Sequence, residues 1–441
     1  MQTEFTDSPY RLDLLDSLSE VSPEQWDALL PDHAGPFLKH AFLSTLEETK
    51  CVGANTGWQA AHLIAKDHEN QIVGAIPLYL KQHSYGEFVF DWAWAEAYHQ
   101  IGKSYYPKAL SAIPFTPVQG ARILVKEGKQ QQQAIQALLI EGLKKMALNN
   151  DLSSIHILFP SENEIQSLVE HDFMLRDSVQ FHWQNQGYEN FEQFLEALNK
   201  KRRKNIRHER SQVQNEQIQF EHIPGEESTP EDWKFFYDCY AQTYFEHHSS
   251  PYLNLEFFLK LSKVMPNHLH LIIACQGDKR IASSLLVVDK AESKAYGRYW
   301  GALKYIPCLH FETAYYQALE YCISEGIKTF EGGAQGEHKM ARGFLPKTLH
   351  SAHWLANAQF SQAVKHYLAR ERAGMAAYVD ELAEHSPLKS NTVLPWATIT
   401  TSKMRTTVPI PFQQGMRSLT HPVLVYALPS TMKFAKAAAG L

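Results

Sequence analysis

Two stretches of the chain repeat one alternation of apolar and polar positions. Residues 62–81 and residues 270–289 each contain an apolar run, a polar turn with an aspartate, and a second apolar run. Two apolar runs joined by a short polar turn predict a β-hairpin. Because the two hairpins are about 208 residues apart and are followed by similar patterns, we infer an internal duplication of the chain.

The pattern after each hairpin predicts an aromatic strand, an amphipathic helix and a further strand. In chain order these predicted elements are a strand at 87–94, a helix at 131–148 and a strand at 154–159, then a strand at 295–300, a helix at 310–325 and a strand at 328–331. Hairpin, strand, helix and strand in this mixed order predict an α/β (α+β) fold, in which a mostly antiparallel sheet is flanked by helices in each half.

The length of 441 residues exceeds what one hydrophobic core usually organises, so we expect two domains. The boundary should lie between the two copies, where the chain becomes polar and basic near residue 200. We predict an N-terminal domain at 1–190, a C-terminal domain at 191–385 that carries the site, and a tail at 386–441. The five cysteines lack the close spacing of a zinc site, which predicts reduced core thiols.

Positive charge is concentrated in the predicted tail. Residues 386–441 contain no Asp or Glu and six basic residues, so the net charge of −6 for the whole chain leaves −12 on residues 1–385. Repeated prolines predict that this tail is irregular. The acidic body argues against DNA as a partner. A cationic, mildly apolar stretch at 423–441 suggests, as an alternative, peripheral contact with anionic lipids.

The hydropathy of the chain and its first residues indicate where in the cell the protein is expected. No apolar run reaches the roughly 18 to 20 residues needed to cross a bilayer. The first twenty residues are acidic rather than typical of a targeting segment. We therefore expect a cytoplasmic protein, which the tail would hold at the inner face of the membrane if it binds lipid.

A basic run, KKRRKNIRHER, occupies residues 200–210. Apolar residues at helical spacing from 191 to 198 precede it, so we predict that the run lies on a helix. A solvated helix face is one interpretation. The other is a phosphate-binding site, because so much positive charge in an acidic body causes self-repulsion unless an anion lies nearby. The candidate phosphate-binding residues are Arg202, Arg203, Lys204 and Arg207.

The segment 296–342 combines glycines with charged side chains in the strings YGRYWG, LHFE and EGGAQGEHK. Glycines let a ligand approach backbone amides. The alternatives are an ordinary strand-to-loop turn and histidines satisfied by packing, and the spacing matches no strong metal signature, so no metal ligand is predicted. The candidate bases or orienting groups are Glu331, Glu337, His338 and His310. The candidate substrate contacts are Arg298, Tyr299, Trp300, Glu312, Gln335 and Arg342.

An aromatic and charged cluster at 85–108 offers a second group of candidate contacts in the first half. Tyr and Lys carry polar ends on apolar stems, which suits the mouth of a ligand site. Packing in the core is the alternative, above all for the tryptophans. The candidate contacts with the acceptor are Asp91, Tyr105, Tyr106 and Lys108.

Nine strings of the chain resemble a known family. They lie at 40–48, 57–63, 73–98, 105–124, 180–188, 201–210, 296–303, 309–321 and 331–346. The family is that of the FemAB-like predicted N-acyltransferases of the double-GNAT type, described as peptidoglycan biosynthesis/recognition proteins. The resemblance covers about residues 10–385 and implies two tandem GNAT-like domains that transfer an acyl or aminoacyl group to an amine.

The donor implied by the resemblance is an activated acyl compound. The pyrophosphate loop of simple acetyl-CoA-dependent GNAT enzymes is not present in a clean form, and residues 334–338 do not supply it. That departure leaves longer acyl-CoA, acyl carrier protein or aminoacyl-tRNA as the co-substrate, with no permanently bound cofactor. The acceptor would be the amine of a small molecule, a lipid or a cell-wall precursor.

We therefore predict an N-acyltransferase whose active cleft lies in the second domain, near the junction with the first. Such an enzyme must hold a neutral amine against an activated carbonyl, remove its proton and stabilise the oxyanion. Two alternatives remain open: a non-catalytic recognition protein for a cell-wall precursor or lipid headgroup, and a membrane-associated acyltransferase of lipid amines. The first half has no second copy of EGGAQGEH, so we expect it to be a scaffold or acceptor platform.

Overall fold

A computed structural model of the chain describes residues 9–126, 131–334 and 336–389. The strands are β1 (Arg11–Leu15), β2 (Trp58–Ala60), β3 (His62–Lys66), β4 (Ile72–Ile76), β5 (Tyr79–Lys81), β6 (Lys108–Ser111), β7 (Leu124–Val125), β8 (Ser154–Leu158), β9 (Met174–Gln184), β10 (Ile218–Pro224), β11 (Leu269–Gln276), β12 (Lys279–Asp289), β13 (Lys294–Ala302), β14 (Thr329–Ala334) and β15 (Leu345–Leu355).

Helices cover both faces of the strands. The α-helices are α1 (Pro23–Asp27), α2 (His40–Glu48), α3 (Trp92–Gln100), α4 (Gln132–Asn149), α5 (Glu162–Glu170), α6 (Phe191–Ala197), α7 (Lys200–Asn215), α8 (Pro230–Glu246), α9 (Leu255–Val264), α10 (Leu309–Phe311), α11 (Gln317–Ser324) and α12 (Ala358–Glu384). A π-helical turn at Glu312–Tyr316 joins α10 to α11, and a 3-10 helix at Glu337–Arg342 follows β14. In the described ranges, no helix is both long enough and apolar enough to cross a membrane.

The strands form one large and one small sheet. The large sheet has eleven strands in the order β10-β11-β12-β13-β14-β9-β15-β8-β6-β5-β2, and the small sheet has four in the order β1-β3-β4-β7. Neighbours are antiparallel except in two pairs, β6 with β8 and β13 with β14, which are parallel. The predicted fold class, a mixed and mostly antiparallel sheet flanked by helices, is confirmed.

The order of elements repeats along the chain, as the hydrophobic pattern predicts. Each predicted hairpin is present, as β3–β4 in the small sheet and β11–β12 in the large one. Each hairpin pairs with the strand before it, β1 or β10. Each is followed by a parallel pair, β6–β8 or β13–β14, whose strands are joined through α4 or through α10 and α11.

The two halves exchange strands at the centre of the large sheet. β9, from the first half, lies between β14 and β15 of the second half, and β15 also pairs with β8 of the first half. β9 and β15 pair over nine residues, from Met174 opposite His353 to His182 opposite Leu345. The large sheet therefore continues without interruption across residue 190, where the sequence predicts a domain boundary.

The prediction of a strand at 87–94 was wrong, whereas the predicted helix of the basic run is confirmed as α7. The chain at 87–94 is not a strand, because α3 begins at Trp92 and places Trp94 and Tyr98, four residues apart, on one buried face. The helix expected from 191 into the basic run is broken at Leu198. There Asn199 caps a new helix by accepting a hydrogen bond from the backbone of Arg202.

Candidate functional site

The candidate site lies where β13 and β14 separate. These parallel strands pair over three positions, from Lys294 opposite Thr329 to Tyr296 opposite Glu331, and the ladder ends there. Glycines follow on both strands. A Cβ on Gly297 would come within 3.0 Å of the Phe330 ring, and a Cβ on Gly332 within 3.2 Å of the Lys339 stem. The close packing of the two strands at this point therefore depends on the absence of side chains there.

Glu331 is the last paired residue of β14 and is buried. Burial raises the pKa of its carboxyl to about 7, against the opposing pull of Lys347, Lys294 and Arg298. His182 on β9 lies beside it, with 4.0 Å between the Glu331 Oε1 and His182 Nδ1 atoms. A carboxylate whose pKa lies near neutrality can accept a proton from a reacting group.

His182 is neutral at physiological pH. Burial, together with the charges of Lys347 and Lys339, lowers the pKa of its ring to about 3. Its Nε2 atom lies 3.4 Å from the Oε1 atom of Gln180, which is also buried. The histidine therefore adds no positive charge beside Glu331. Its neutral ring can donate one hydrogen bond and accept another.

Lys339 brings a buried ammonium group to the edge of β14. Its stem packs along Gly332, and its Nζ atom donates to the carbonyl oxygen of Gly333 at 3.1 Å. Burial, with a smaller effect from Arg298, lowers the pKa of Lys339 to about 7. Lys347, Lys294 and Arg298 favour the ionised form of Glu331, and the side chain of Lys339 packs beside the next residue, Gly332.

The first half of the chain supplies one wall of the site through residues 112–119. The carbonyl oxygen of Phe115 accepts hydrogen bonds from Arg298 Nη2 at 2.8 Å and from the Tyr299 hydroxyl at 3.5 Å. The carbonyl of Pro117 accepts from Gln180 Nε2 at 2.8 Å. The second-half cleft is thus bordered by backbone from the first half.

His310 and His338 lie near each other beside the rings of Trp300 and Tyr315. The ring of His310 is close to that of Trp300, at 5.1 Å between centroids, and 6.4 Å from that of His338. His338 Nε2 lies 3.2 Å from the Tyr315 hydroxyl. Burial and the nearby His338 and Arg342 lower the pKa of His310 to about 3. His338 is more exposed, and partial burial with the charges of Lys339 and Arg342 lowers the pKa of its ring as well. Both rings are therefore neutral at pH 7.

Arg342 and Glu312 are engaged in ion pairs with α7. Arg342 bonds to Glu209 at 2.9 Å and lies over the Phe311 ring at 3.4 Å. Glu312 accepts two hydrogen bonds from Arg210, at 2.9 and 3.2 Å. These contacts fix α7 against the segments that flank the cleft.

Two further residues are predicted as site residues of the second half, Glu337 and Gln335. Glu337 is exposed and accepts a hydrogen bond from the Tyr378 hydroxyl on α12 at 2.5 Å. Gln335 lies outside the described residues. Within the described ranges, Glu337 forms no hydrogen bond or ion pair with Glu331, and the catalytic role of Glu337 stays a prediction.

The four predicted phosphate ligands lie on α7. Lys204 and Arg207 are exposed, Arg202 and Arg203 are half-buried, and Arg207 pairs with Glu192 at 2.6 Å. The α7 side chains that contact the flanks of the cleft are Glu209, Arg210 and Gln212. The phosphate-binding role of the four residues stays a prediction.

The candidate residues of the first half form a buried ionic network instead of an open mouth. Lys108 Nζ donates to Asp91 at 2.5 Å, Glu87 at 2.8 Å and Ser84 at 2.9 Å. Tyr105 donates to Asp91 at 2.6 Å. Burial alone would raise the pKa of Asp91, but Lys108 holds it well below its usual range.

Tyr106 lies at the margin of this network. Its hydroxyl is 2.9 Å from Ser84 Oγ, and its side chain is half-buried. Asp91, Tyr105 and Lys108 are inaccessible in this conformation. A contact of these residues with substrate stays a prediction, because a ligand would reach them only if the residues that cover them moved.

Sequence reasoning missed the partners that surround Glu331, above all His182, Gln180 and Lys339. His182 lies 149 positions before Glu331 in the chain and reaches it through the pairing of β9 with β14. Lys339 gave a usable signal, because it follows His338 directly in the glycine-rich string.

Two α/β repeats, each with a hairpin followed by a parallel strand pair, define a protein of the mixed α/β class with a mostly antiparallel central sheet. The chain belongs to the FemAB-like family, described as peptidoglycan biosynthesis/recognition, whose model matches residues 17–390. This membership supports a role of the acyl- or aminoacyl-transferase kind. No curated protein matches the chain.

Several solved structures are similar to the chain at low sequence identity. The C-terminal domain of a putative lysylphosphatidylglycerol synthetase from Agrobacterium fabrum aligns with a TM-score of 0.48 and 8% identity, over 80% of this chain and 97% of that one. L-PGS from Bacillus licheniformis gives 0.44 and 9%, over 74% and 95%. A tandem GNAT protein from the clavulanic acid biosynthesis pathway gives 0.42 and 9%, over 79% and 99%.

Proposed function

We propose that the chain transfers an acyl or aminoacyl group from an activated donor to an amine, in the cleft where β13 and β14 separate. The observation that carries this proposal is the position of Glu331, a buried carboxylate at the end of the parallel ladder and among cations. Beyond Tyr296 the edge of β13 no longer pairs with β14, so its backbone groups can bind an extended, amide-bearing donor.

The proposed reaction needs one base and one group that stabilises negative charge. The neutral amine attacks the donor carbonyl, and the new carbon–nitrogen bond gives a tetrahedral intermediate. Collapse of the intermediate breaks the bond to the leaving sulfur or oxygen, which departs as a thiol or hydroxyl after it receives the amine's proton by way of Glu331. Glu331 takes the proton that the amine loses. In this proposal, Lys339, whose Nζ atom lies 3.1 Å from the Gly333 carbonyl oxygen, and the backbone amides at Gly332 and Gly333 stabilise the oxyanion of the tetrahedral intermediate.

The identity of the donor and acceptor belongs to the proposal. Acyl-CoA, acyl carrier protein and aminoacyl-tRNA all supply an activated carbonyl, and each carries phosphates that the predicted ligands on α7 would bind. The acceptor is the amine of a small molecule, a lipid or a cell-wall precursor. We place the reaction in the cytoplasm, with no permanently bound cofactor.

The first experiment measures thermal stabilisation of the full chain by acyl-CoA, acyl carrier protein and aminoacyl-tRNA. A donor at 100 times its dissociation constant should stabilise the folded state by about 2.7 kcal/mol. Stabilisation by one class identifies the donor. Stabilisation by none of them, with binding of a cell-wall precursor and no turnover, would favour the recognition role that the family description also names.

The second experiment compares Glu331→Gln with Glu226→Gln, an exposed matched control, in a transfer assay with the donor so identified. Because the base must be ionised, the wild-type rate should rise with pH and level off above about 7. Loss of this base should lower kcat by roughly 100-fold or more. An unchanged rate and pH profile in Glu331→Gln would refute the proposed base.

A further inference from the structure

We propose that a cavity between β10, β11 and α11 binds a small zwitterion with an apolar body, such as an aromatic amino acid. The cavity has a volume of about 470 Å³, which is in the range of small-molecule sites. Two of its lining residues, Leu269 and Val288, are buried and apolar, and a third is the half-buried Tyr321. The inference does not depend on the transferase reaction.

The cavity and the candidate site lie on opposite faces of the large sheet. Val288 lines the cavity and belongs to the same apolar cluster as Phe330 and the buried residues of α11. Glu331 follows Phe330 in β14, and successive residues of a strand point to opposite faces. Tyr296, which pairs with Glu331, packs in a different apolar cluster. A ligand in the cavity would therefore occupy a site separate from the proposed cleft.

A chain of hydrogen bonds fixes the positions of the protons in the cavity wall. Gln317 Nε2 donates to Glu312 at 2.8 Å, so Gln317 Oε1 accepts from His222 Nε2 at 3.1 Å. His222 Nδ1 then carries a lone pair and accepts from His270 Nε2 at 3.0 Å. The other ring nitrogen of His270, Nδ1, is left with a lone pair and has no hydrogen-bond partner among the described residues.

The free lone pair of His270 can accept a hydrogen bond from a ligand. His270 lines the cavity, is 4% exposed and stacks on Tyr321, with 3.9 Å between the ring centroids. Burial, with the charges of His222 and Lys290, lowers the pKa of His270 to about 3, so the ring is neutral at pH 7. A buried acceptor without a partner costs free energy, and a ligand ammonium group would supply the missing donor.

The charged residues of the cavity favour a ligand that carries both signs of charge. Lys290 and Glu325 both line the cavity, are exposed, and form a loose ion pair at 3.9 Å. Glu320, a further lining carboxylate, is already bound by Arg210 at 2.7 Å. A cation alone or an anion alone would leave one member of the Lys290–Glu325 pair without a partner. A zwitterion replaces the loose pair by two ion pairs, its carboxylate with Lys290 and its ammonium with Glu325 and His270.

The test is isothermal titration calorimetry of the full chain with three compounds of similar shape. L-Phenylalanine carries both charges, 2-phenylethylamine lacks the carboxylate, and 3-phenylpropionate lacks the amine. We expect L-phenylalanine to bind about fivefold more tightly than either analogue, because each analogue loses one ion pair with an exposed side chain. Absence of L-phenylalanine binding, or equal binding of all three compounds, would overturn the proposal.

Two variants on exposed side chains assign the binding to this cavity. Lys290→Gln should bind L-phenylalanine about fivefold more weakly, without a loss in the binding of 2-phenylethylamine. Glu325→Gln should also weaken L-phenylalanine binding, without a loss in the binding of 3-phenylpropionate. The controls Lys279→Gln and Glu69→Gln remove the same charges from exposed positions elsewhere and should bind as wild type does. Equal weakening in the controls would overturn the assignment to the cavity.

Two further variants test the imidazole and the separation from the cleft. His270→Phe keeps an aromatic ring beside Tyr321 but removes the free nitrogen, so it should bind L-phenylalanine about tenfold more weakly at an unchanged melting temperature. Unchanged affinity in this folded variant would overturn the role of His270. Glu331→Gln should bind L-phenylalanine as wild type does, and a loss of binding there would place the ligand in the transfer cleft instead of the cavity.

Discussion

Glu331 links the proposed chemistry to the stability of the fold. Its carboxyl has a pKa of about 7 in the folded chain against an ordinary value of 4.5, because burial disfavours the charge. Between pH 4.5 and about pH 7, the carboxyl of Glu331 is therefore protonated in the folded state and ionised in the unfolded state. The contribution of this proton to the free energy of unfolding is fully present below pH 4.5 and is lost as the pH rises through about 7.

Glu331→Gln should consequently stabilise the chain at pH 8 and change little at pH 4. The shift in pKa corresponds to about 3 kcal/mol at the higher pH. Denaturant unfolding at both pH values measures the difference, with Glu226→Gln as the control. Equal effects at the two pH values would mean that the carboxyl titrates normally in the folded state.

Lys108 holds two buried carboxylates that would otherwise repel each other. Lys108→Met keeps most of the side-chain volume but leaves Asp91 and Glu87 without their shared cation. We expect a loss of about 3 to 5 kcal/mol in the free energy of unfolding. The control Lys328→Met changes an exposed lysine. It should lower the free energy of unfolding by less than about 0.5 kcal/mol, which is the usual limit for surface substitutions.

The double variant K108M/D91N decides whether charge or packing causes that loss. Removal of one carboxylate relieves part of the imbalance, so the double variant should be more stable than Lys108→Met alone. Additive losses would instead indicate that the lysine matters through its packing. Both are measured by the same denaturant unfolding.

At the level of elements, α8 and β13 approach each other through a glycine. A Cβ on Gly301 would lie 1.8 Å from the backbone oxygen of Cys239 in α8, so the helix would have to move away. Gly301→Ala should therefore destabilise the chain by about 2 kcal/mol or more. Gly374→Ala, on the exposed helix α12 where a Cβ meets nothing within 4 Å, should stabilise it by about 1 kcal/mol. Thermal unfolding of both variants provides the comparison.

The elements that sequence predicts well are those whose hydrophobic period is local. The two hairpins, α4 and β14 follow directly from runs and turns within some twenty residues. The segment 87–94 was predicted as a strand because it is rich in aromatic residues, which favour strands. The apolar stripe of Trp94 and Tyr98 instead belongs to the helix that begins at Trp92. A helix and a strand of this length cannot be separated by period alone.

The candidate site, too, can be predicted from the sequence only where its residues belong to a local pattern. Glu331 and Arg298 stand in dense, unusual strings, and sequence reasoning selects them. The position of His182 depends on a strand pairing between distant parts of the chain, which no local pattern encodes. The burial of Lys108 was equally hidden, because a lysine is expected at the surface unless its carboxylate partners are known.

At the scale of the whole molecule, the exchange of β9 and β15 makes the halves depend on each other. Each half of the large sheet is completed by a strand from the other. We expect calorimetry of the full chain to show one cooperative transition, and fragments 1–190 and 191–389 to show none when separate. Two independent transitions, or fragments that melt cooperatively alone, would contradict this expectation.

The same exchange determines when the chain can finish folding during its synthesis. Roughly 190 residues separate the end of β8 from the start of β15. At about 5 to 20 residues per second, translation of that stretch takes roughly 10 to 40 seconds. Throughout this time β8 lacks one neighbour and exposes a strand edge that nascent chains nearby can pair with. The strand exchange that joins the two halves of the folded protein thus makes the nascent chain prone to aggregation on the ribosome, where chaperones act.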